Sequence, residues 1–255
     1  MAKPDSTQAT ETLHEIESIF DRTARWAAEN PITVLAIAGA ILLLAAAYGG
    51  YRTWNTHREA NASAEVAAIE ADYVAAMGAT PGQLEIPEPA NAEAAAATRR
   101  EYATRLAEAA ERLAGTRAGV TARMQAGRLR AELGEPEAAL DAFRAAAEGA
   151  PRGSALEALA RVRLGAALES AGDPAGAAEA YLAAGQVEAF PGRVLALGDA
   201  ARSFADAGQT ERALEVFRGL SEEEVQQLPD YVTARLTELG VRSRMSPAAP
   251  APEAP

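Results

Sequence analysis

The chain has 255 residues, a net charge of −12 and no cysteine. The acidic balance argues against nucleic acid as a partner, because phosphate binding needs a basic surface, and the lack of cysteine excludes disulfides and a lipoprotein anchor. Alanine and arginine, both strong helix formers, are abundant, whereas β-branched and aromatic residues are sparse. We therefore expect an all-α fold.

Residues 1–30 are predicted to form a tail that contains a short amphipathic helix. Leu13, Ile16 and Phe20 recur with the three- and four-residue spacing of one helix face, and Asn30-Pro31 ends the pattern. The polar face of this helix is acidic, whereas helices that lie on membranes usually carry lysine or arginine. Three uses stay open: a lead-in to the next segment, a contact with the membrane surface, or the docking of a partner.

Residues 31–51 are predicted to form one transmembrane helix. Ile32–Tyr51 contains 20 residues without a charge, and a helix of that length spans about 30 Å, the thickness of the hydrocarbon core of a bilayer. Tyr48, Tyr51 and Trp54 gather at the far end, where aromatic rings favour the membrane interface. A cleaved signal peptide is the alternative, but the long acidic leader and the long apolar segment favour a retained anchor.

The charges that flank this helix do not orient it. Arg22 and Arg25 precede it and Arg52 and Arg58 follow it, so the positive-inside rule gives a tie. Small residues recur four positions apart along the helix, a pattern that can mediate helix packing within membranes. The candidate packing positions are Ala36, Ala40, Ala45, Ala46, Gly49 and Gly50.

Residues 52–91 are predicted to form a juxtamembrane helix followed by a loop. Helical character persists to Met77, and Gly78 and the sequence Ile-Pro-Glu-Pro then break it. Residues 92–245 have the pattern of helices joined by short turns, and we expect them to form the main domain. Residues 246–255 are predicted to be a disordered Pro/Ala tail, because they contain no core-forming side chain.

An internal repeat with a period of 36–38 residues runs through the main domain. Each repeat has a glycine that can adopt the left-handed conformation of a helix end. Small residues seven positions before and five positions after it let two antiparallel helices cross closely, and an aromatic nine positions after it fills the gap to the neighbouring repeat. These columns are Gly134, Gly172 and Gly208; Gly127, Gly165 and Ala201; Ala139, Ala177 and Ala213; and Phe143, Tyr181 and Phe217.

The repeat resembles the tetratricopeptide (TPR) repeat, which implies an α-solenoid of helical hairpins. Its spacing exceeds the roughly 34 residues of that family, and arginine or leucine occupies the usual aromatic positions of the first helix. In TPR proteins the first helices of the hairpins line a concave groove that binds peptides. The residues that match this face are Thr121, Met124, Arg128 and Glu132, then Leu159, Val162, Ala166 and Glu169, and finally Leu195, Gly198, Arg202 and Asp206.

By this match the face is an interaction groove. Met124, Val162 and Leu195 are expected to contact apolar segments of a partner, while Arg128 and Arg202 set its register. The mixture lacks the lysine and asparagine set that clamps a C-terminal carboxylate, so that ligand type is disfavoured. The alternative interpretation is that the face consists of ordinary core and solvated surface.

The sequence contains no constellation of residues that points to catalysis. His14 and His57 lie on opposite sides of the predicted membrane helix, so they cannot share a metal ion. No serine or threonine has a histidine in reach for a catalytic triad, and no glycine-rich phosphate loop follows a strand. We therefore predict a non-enzymatic protein without a catalytic residue, metal, cofactor or small-molecule substrate.

The whole layout resembles the YfgM family, the ancillary subunits of the bacterial SecYEG translocon. The most specific part is Trp-Ala-Ala-Glu-Asn-Pro at 26–31 and Tyr-Arg-Thr-Trp-Asn-Thr-His-Arg at 51–58, within a resemblance that covers roughly residues 17–240. It implies an inner-membrane protein with a cytoplasmic N-terminus and a periplasmic TPR-like domain. The implied partners are the SecYEG translocon and a membrane-anchored periplasmic chaperone. An envelope-assembly or cell-division scaffold anchored in the inner membrane is the alternative hypothesis.

Overall fold

The computed structural model describes residues 22, 25–79, 86–87 and 89–238, and all regular structure in these residues is α-helical. The predicted N-terminal amphipathic helix falls almost entirely outside the described residues, and the Pro/Ala tail falls entirely outside them. The helices are α1 (Pro31–Ala76), α2 (Ala92–Arg112), α3 (Arg117–Glu132), α4 (Pro136–Gly149), α5 (Ala155–Ser170), α6 (Pro174–Gly185), α7 (Arg193–Asp206), α8 (Thr210–Arg218), α9 (Glu222–Gln226) and α10 (Asp230–Glu238).

The chain divides into two compact units between His57 and Arg58, so α1 contributes residues to both. Among the described residues, α1 is the one helix that is long and apolar enough to cross a membrane, and none of its apolar window is buried. A core helix of a folded domain would be buried, so α1 is compatible with a single-pass anchor. A Cβ atom added at Gly49 or Gly50 would meet nothing within 4 Å, and the packing role of the small residues stays a prediction.

The second unit begins with the C-terminal part of α1, which packs antiparallel against α2. The rings of Tyr73 and Tyr102 lie 5.5 Å apart between centroids, and Glu65 pairs with Arg112 at 2.7 Å nearer the start of this segment. One face of the helix is buried in the same apolar cluster as α2 and α3. The buried residues on this face are Ala62, Val66, Ile69, Tyr73 and Met77.

This packing adds residues 58–77 to the helical body, whereas the sequence analysis grouped them with a juxtamembrane segment at 52–91. Val66, Ile69 and Tyr73 have the three- and four-residue spacing of a buried helix face. Their spacing could have been recognised, but a helix that simply extends a membrane span can show it as well. Only the contacts with α2 distinguish the two cases.

The same turn ends the first helix of each hairpin. Gly134 has φ of 72°, and the amide of Glu135 donates to the carbonyl of Arg130 at 2.9 Å, which is the Schellman pattern. The predicted helix ends are therefore confirmed, and Gly78 marks a fourth hairpin that the repeat alignment omitted. The equivalent glycines are Gly172, Gly208 and Gly78, with φ of 80°, 75° and 88°.

The small residues of the first helices receive the aromatic side chains of the second helices. A Cβ atom at Gly127 would lie 3.0 Å from Phe143, and one at Gly165 would lie 2.8 Å from Tyr181. Each aromatic thus covers the glycine of its own hairpin, a contact that the sequence analysis did not foresee. Tyr181 also shares an apolar cluster with Ala200 of the next hairpin, as expected for a residue that fills the gap between repeats.

Replacing Gly165 by valine is expected to destabilise the helical body by about 1–3 kcal/mol, because the new methyl groups overpack against the buried ring of Tyr181. Thermal unfolding followed by circular dichroism would measure the change. Ala166→Val is the matched control, since it introduces the same side chain at the next position, which is exposed. Equal melting temperatures for the two variants would contradict the close approach of α5 and α6.

The C-terminal helix α10 closes the array by packing against α7. Val232 and Leu236 are fully buried, and Arg235 pairs with Asp206 at 2.8 Å. A Cβ atom at Gly198 would lie 2.5 Å from Leu228, so this glycine accommodates the segment that leads into α10. The predicted fold class, a TPR-like α-solenoid of helical hairpins preceded by one apolar helix, is therefore confirmed.

Candidate functional site

A cleft of about 770 Å³ opens between α3, α4 and α5. Its floor is apolar, because Met124, Leu156 and Phe143 converge from the three helices, and its polar groups include Arg128 and Arg163. Carboxylates are absent from its lining. The lining residues are Thr121, Met124, Gln125, Arg128, Ala131, Gly134, Pro136, Ala139, Phe143, Leu156, Leu159, Arg163, Ala166, Ala167 and Ser170.

The cleft brings together a subset of the residues predicted for the groove, namely Thr121, Met124, Arg128 and Leu159, together with Ala166. The local packing explains their positions. Met124 lies half-buried against the cluster that joins α3, α4 and α5, while the side chain of Leu159 is 37% exposed. An apolar group from a partner could therefore contact both side chains without any change in the fold.

Charged residues at the α3 end of the groove are paired within the chain. Arg128 contacts Glu132 at 2.5 Å and the side-chain oxygen of Gln125 at 3.1 Å. Glu132 also accepts a hydrogen bond from Arg99 of α2 at 3.2 Å. Arg128 is thus held over the cleft by its own helix, with its outer surface open to a ligand.

Glu169, Arg202 and Asp206 form a separate ion-pair network between α5 and α7. Arg202 lies 2.7 Å from Glu169 and 3.4 Å from Asp206, and its side chain is only 16% exposed. Burial opposes the charge of Arg202, but Glu169 and then Asp199 raise its pKa above the ordinary arginine value. These groups fasten neighbouring hairpins, so Arg202 has little surface left for setting the register of a partner.

Two further predicted groove residues differ in exposure. Val162 is partly buried between two apolar clusters, whereas Leu195 is 40% exposed at the start of α7. Gly198 is covered by Leu228. The groove face is therefore open at Leu159 and Leu195, and closed at Val162 and Gly198.

Sequence analysis missed Leu156, Phe143 and Arg163 as cleft residues. Phe143 was assigned to the gap between repeats, which is where the cleft lies. Leu156 and Arg163 are on α5 but off the stripe that matches the TPR groove face, and the register of α5 against α3 brings them to the opening. No local signal in the sequence identifies them, because that register depends on residues of α3 and α4.

Burial of Glu157 at the start of α5 gives the fold a dependence on pH. Its carboxylate accepts hydrogen bonds from the amide of Gly153 at 2.6 Å and from Arg161 at 2.7 Å. Burial alone would raise its pKa, but the bonds from Arg161 and Gly153 lower it below the reference value of 4.5. The ionised carboxylate therefore stabilises the fold above the unfolded pKa, and this contribution is lost as the pH falls through the folded pKa.

Replacing Glu157 by glutamine is expected to lower the free energy of unfolding by about 1–2 kcal/mol at neutral pH, because charge-assisted hydrogen bonds are lost. The difference from the unmodified chain should shrink as the pH falls below 4.5. Thermal melts over a range of pH would show this. Glu148→Gln, at an exposed position of α4, should have a small effect at every pH, and a pH-independent difference at Glu157 would contradict the assignment.

Within the described part of the chain, no three His, Cys, Asp or Glu side chains are grouped so that they could hold a metal ion. What the geometry offers is an apolar cleft with arginine at its edge on an array of helical hairpins. Arrays of this kind present extended surfaces to protein partners, so the architecture is that of an interaction scaffold.

No family model matches the chain, and no curated protein matches it. Two solved structures are similar to it, both of nearly identical TPR-like repeats of a kinesin light chain-like protein from Podosopora anserina, one of them with a single substitution. Each is 13% identical to this chain and covers 58% of it and 81% of its own length. The TM-scores are 0.45 and 0.46.

Proposed function

We propose that this chain is a non-enzymatic, single-pass inner-membrane protein whose periplasmic TPR-like domain links the SecYEG translocon to a membrane-anchored periplasmic chaperone. The observation that carries the proposal is the open apolar cleft between α3, α4 and α5, where Met124 and Leu159 are available to a partner. An interaction protein needs such a surface, and the chain offers it without a cluster of groups suited to chemistry.

Two further features support the membrane part of the proposal. The uncharged segment Ile32–Tyr51 is long enough to span a bilayer, and its large side chains are exposed rather than packed into a core. The juxtamembrane sequences at 26–31 and 51–58 resemble the corresponding part of the YfgM family. That resemblance supports the orientation, the inner membrane and the translocon as the neighbour.

Photocrosslinking in cells tests the proposal directly. A photoreactive amino acid is placed at Met124 in the cleft, at Tyr48 on α1, or at the exposed control position Glu215 on α8. Mass spectrometry of the products should identify translocon subunits at Tyr48 and a periplasmic chaperone at Met124, with neither at Glu215. Capture of septal or outer-membrane assembly proteins at Met124, without translocon subunits at Tyr48, would contradict the proposal and favour an envelope scaffold.

A further inference from the structure

The exposed large apolar side chains of residues 89–238 all occupy one repeat position. They are Leu159, Leu195 and Tyr231, with exposed fractions of 37%, 40% and 57%. Leu195 lies 36 residues after Leu159, and Tyr231 lies 36 residues after Leu195, so they fall near the start of α5, α7 and α10. We call these three residues the apolar ladder. Chance exposure would scatter such side chains over both faces of the array.

The helices that carry the apolar ladder lie side by side. The hydroxyl of Ser203 on α7 donates to Glu169 on α5 at 2.6 Å, and Arg235 on α10 donates to Asp206 on α7 at 2.8 Å. Packed helix axes lie about 8–10 Å apart, so successive residues of the ladder are separated by about that distance. The first of them, Leu159, also lines the cleft.

This spacing fits an extended peptide with a three-residue period. A polyproline II helix rises about 3.1 Å per residue with three residues per turn, so every third side chain falls on one face about 9.3 Å apart. Side chains on one face of a β-strand repeat at about 6.6–6.8 Å, which is too short. An amphipathic helix would need a broad apolar stripe, whereas Arg163, Asp199 and Arg235 lie four residues after each member of the ladder and interrupt it.

The charge at the cleft end selects the sign of the ligand. Arg128 and Arg163 are the ionisable residues of the cleft lining, although the chain as a whole carries a net charge of −12. Arg163 is exposed and one helical turn from Leu159, so a group bound beside Leu159 comes within its reach. An acidic side chain of a ligand is therefore favoured at this end of the groove.

We infer that the apolar ladder and the cleft together bind one extended segment of a partner protein, with apolar side chains at every third position and an acidic side chain that faces Arg163. The inference rests on the proposed function as an interaction protein and names the chemistry of its partner. It accounts for the period of the ladder, for its isolated members and for the basic end of the groove.

A binding titration with designed peptides tests the inference. The full chain in lipid nanodiscs is titrated with fluorescent peptides of about ten residues, in which leucine recurs at every third position among proline and glutamine, with glutamate at one end or the other. Empty nanodiscs measure partition into lipid. Peptides with leucine at every second or every seventh position, and peptides with lysine in place of glutamate, have the same composition otherwise.

The three-residue peptide with one of the two glutamate placements should bind at least about tenfold more tightly than the other peptides. Leu195→Asp should weaken it about tenfold, with circular dichroism to show an intact fold, because an exposed position tolerates the change. Arg163→Glu should weaken the glutamate peptide and strengthen the lysine peptide. Arg218→Glu, the same charge reversal at an exposed site on α8, should change neither.

Equal affinity for all leucine spacings, or an unchanged affinity in Leu195→Asp, would overturn the inference. Tighter binding of the seven-residue spacing would overturn it in favour of a helical ligand. These results are separable from the proposed function. A chaperone crosslinked at Met124 together with a flat peptide series removes this inference alone, whereas spacing-dependent binding without translocon crosslinks removes only the proposed membrane partners.

Discussion

Replacing Phe204 by alanine is expected to lower the free energy of unfolding of the helical body by about 3–5 kcal/mol. Phe204 is fully buried in α7 and belongs to the cluster that joins α6, α7, α8 and α10. The guanidinium of Arg212 also lies 4.1 Å from its ring centroid, and this contact disappears with the ring. Thermal and denaturant unfolding followed by circular dichroism would measure the loss.

The effect should spread beyond the site because each hairpin is stabilised by its neighbours. Loss of the third hairpin frees α10, whose Val232 and Leu236 are buried in the same cluster. Leu195→Ala is the control on the same helix, and its exposed position predicts a change within about 0.5 kcal/mol. If both variants melted like the unmodified chain, α7 could not be the centre of the C-terminal core.

Replacing Leu42 and Leu43 together by arginine is expected to abolish membrane integration of the chain. These side chains are 70% and 73% exposed near the middle of the uncharged segment, so they would face lipid. Exchange of leucine for arginine at the centre of a membrane helix costs about 3 kcal/mol per residue in apparent insertion free energy, or about 6 kcal/mol for the pair. Carbonate extraction of isolated membranes would show the protein in the soluble fraction.

The matched control replaces the same two leucines by alanine. Alanine shortens the side chains without adding charge, so the control should remain in the membrane pellet. Retention of the arginine variant in the pellet would show that something other than insertion of α1 holds the chain at the membrane. Crosslinking from Tyr48 should disappear in the arginine variant, because its contact depends on the inserted helix.

The two halves of the proposed function depend on different physics. Anchoring depends on the uncharged surface of α1, whereas partner binding depends on the exposure of Leu159 and Leu195 on a rigid array. The arginine pair therefore tests the first, and Leu195→Asp tests the second. A chain that lost only one of them would keep the other activity.

Local physics explains what the sequence by itself determined. Gly134 and its equivalents predicted the hairpin turns, because a residue with φ near 72° ends a helix wherever it lies. The small residue at Gly127 and the aromatic at Phe143 predicted a close crossing, and the uncharged run Ile32–Tyr51 predicted an exposed apolar helix. Each of these properties follows from neighbouring residues or from a period that is visible in the chain.

Tertiary structure alone decided which parts of the predicted groove are open. Gly198 and Leu195 lie on the same stripe of α7, but Leu228 covers the first and leaves the second exposed. Arg128 stays at the edge of a cleft, whereas Arg202, at the equivalent position, is enclosed by Glu169 and two aspartates. The residues that make this difference come from other hairpins, so no local pattern encodes it.

The membership of residues 58–77 in the array was decided in the same way. Val66 and Tyr73 have the spacing of a buried helix face whether α1 extends freely or packs against α2. The ring contact with Tyr102 and the ion pairs to α2 settle the choice. A helical period is set by the backbone and can be read from sequence, whereas the partner of a helix face is set by side chains that are distant in the chain.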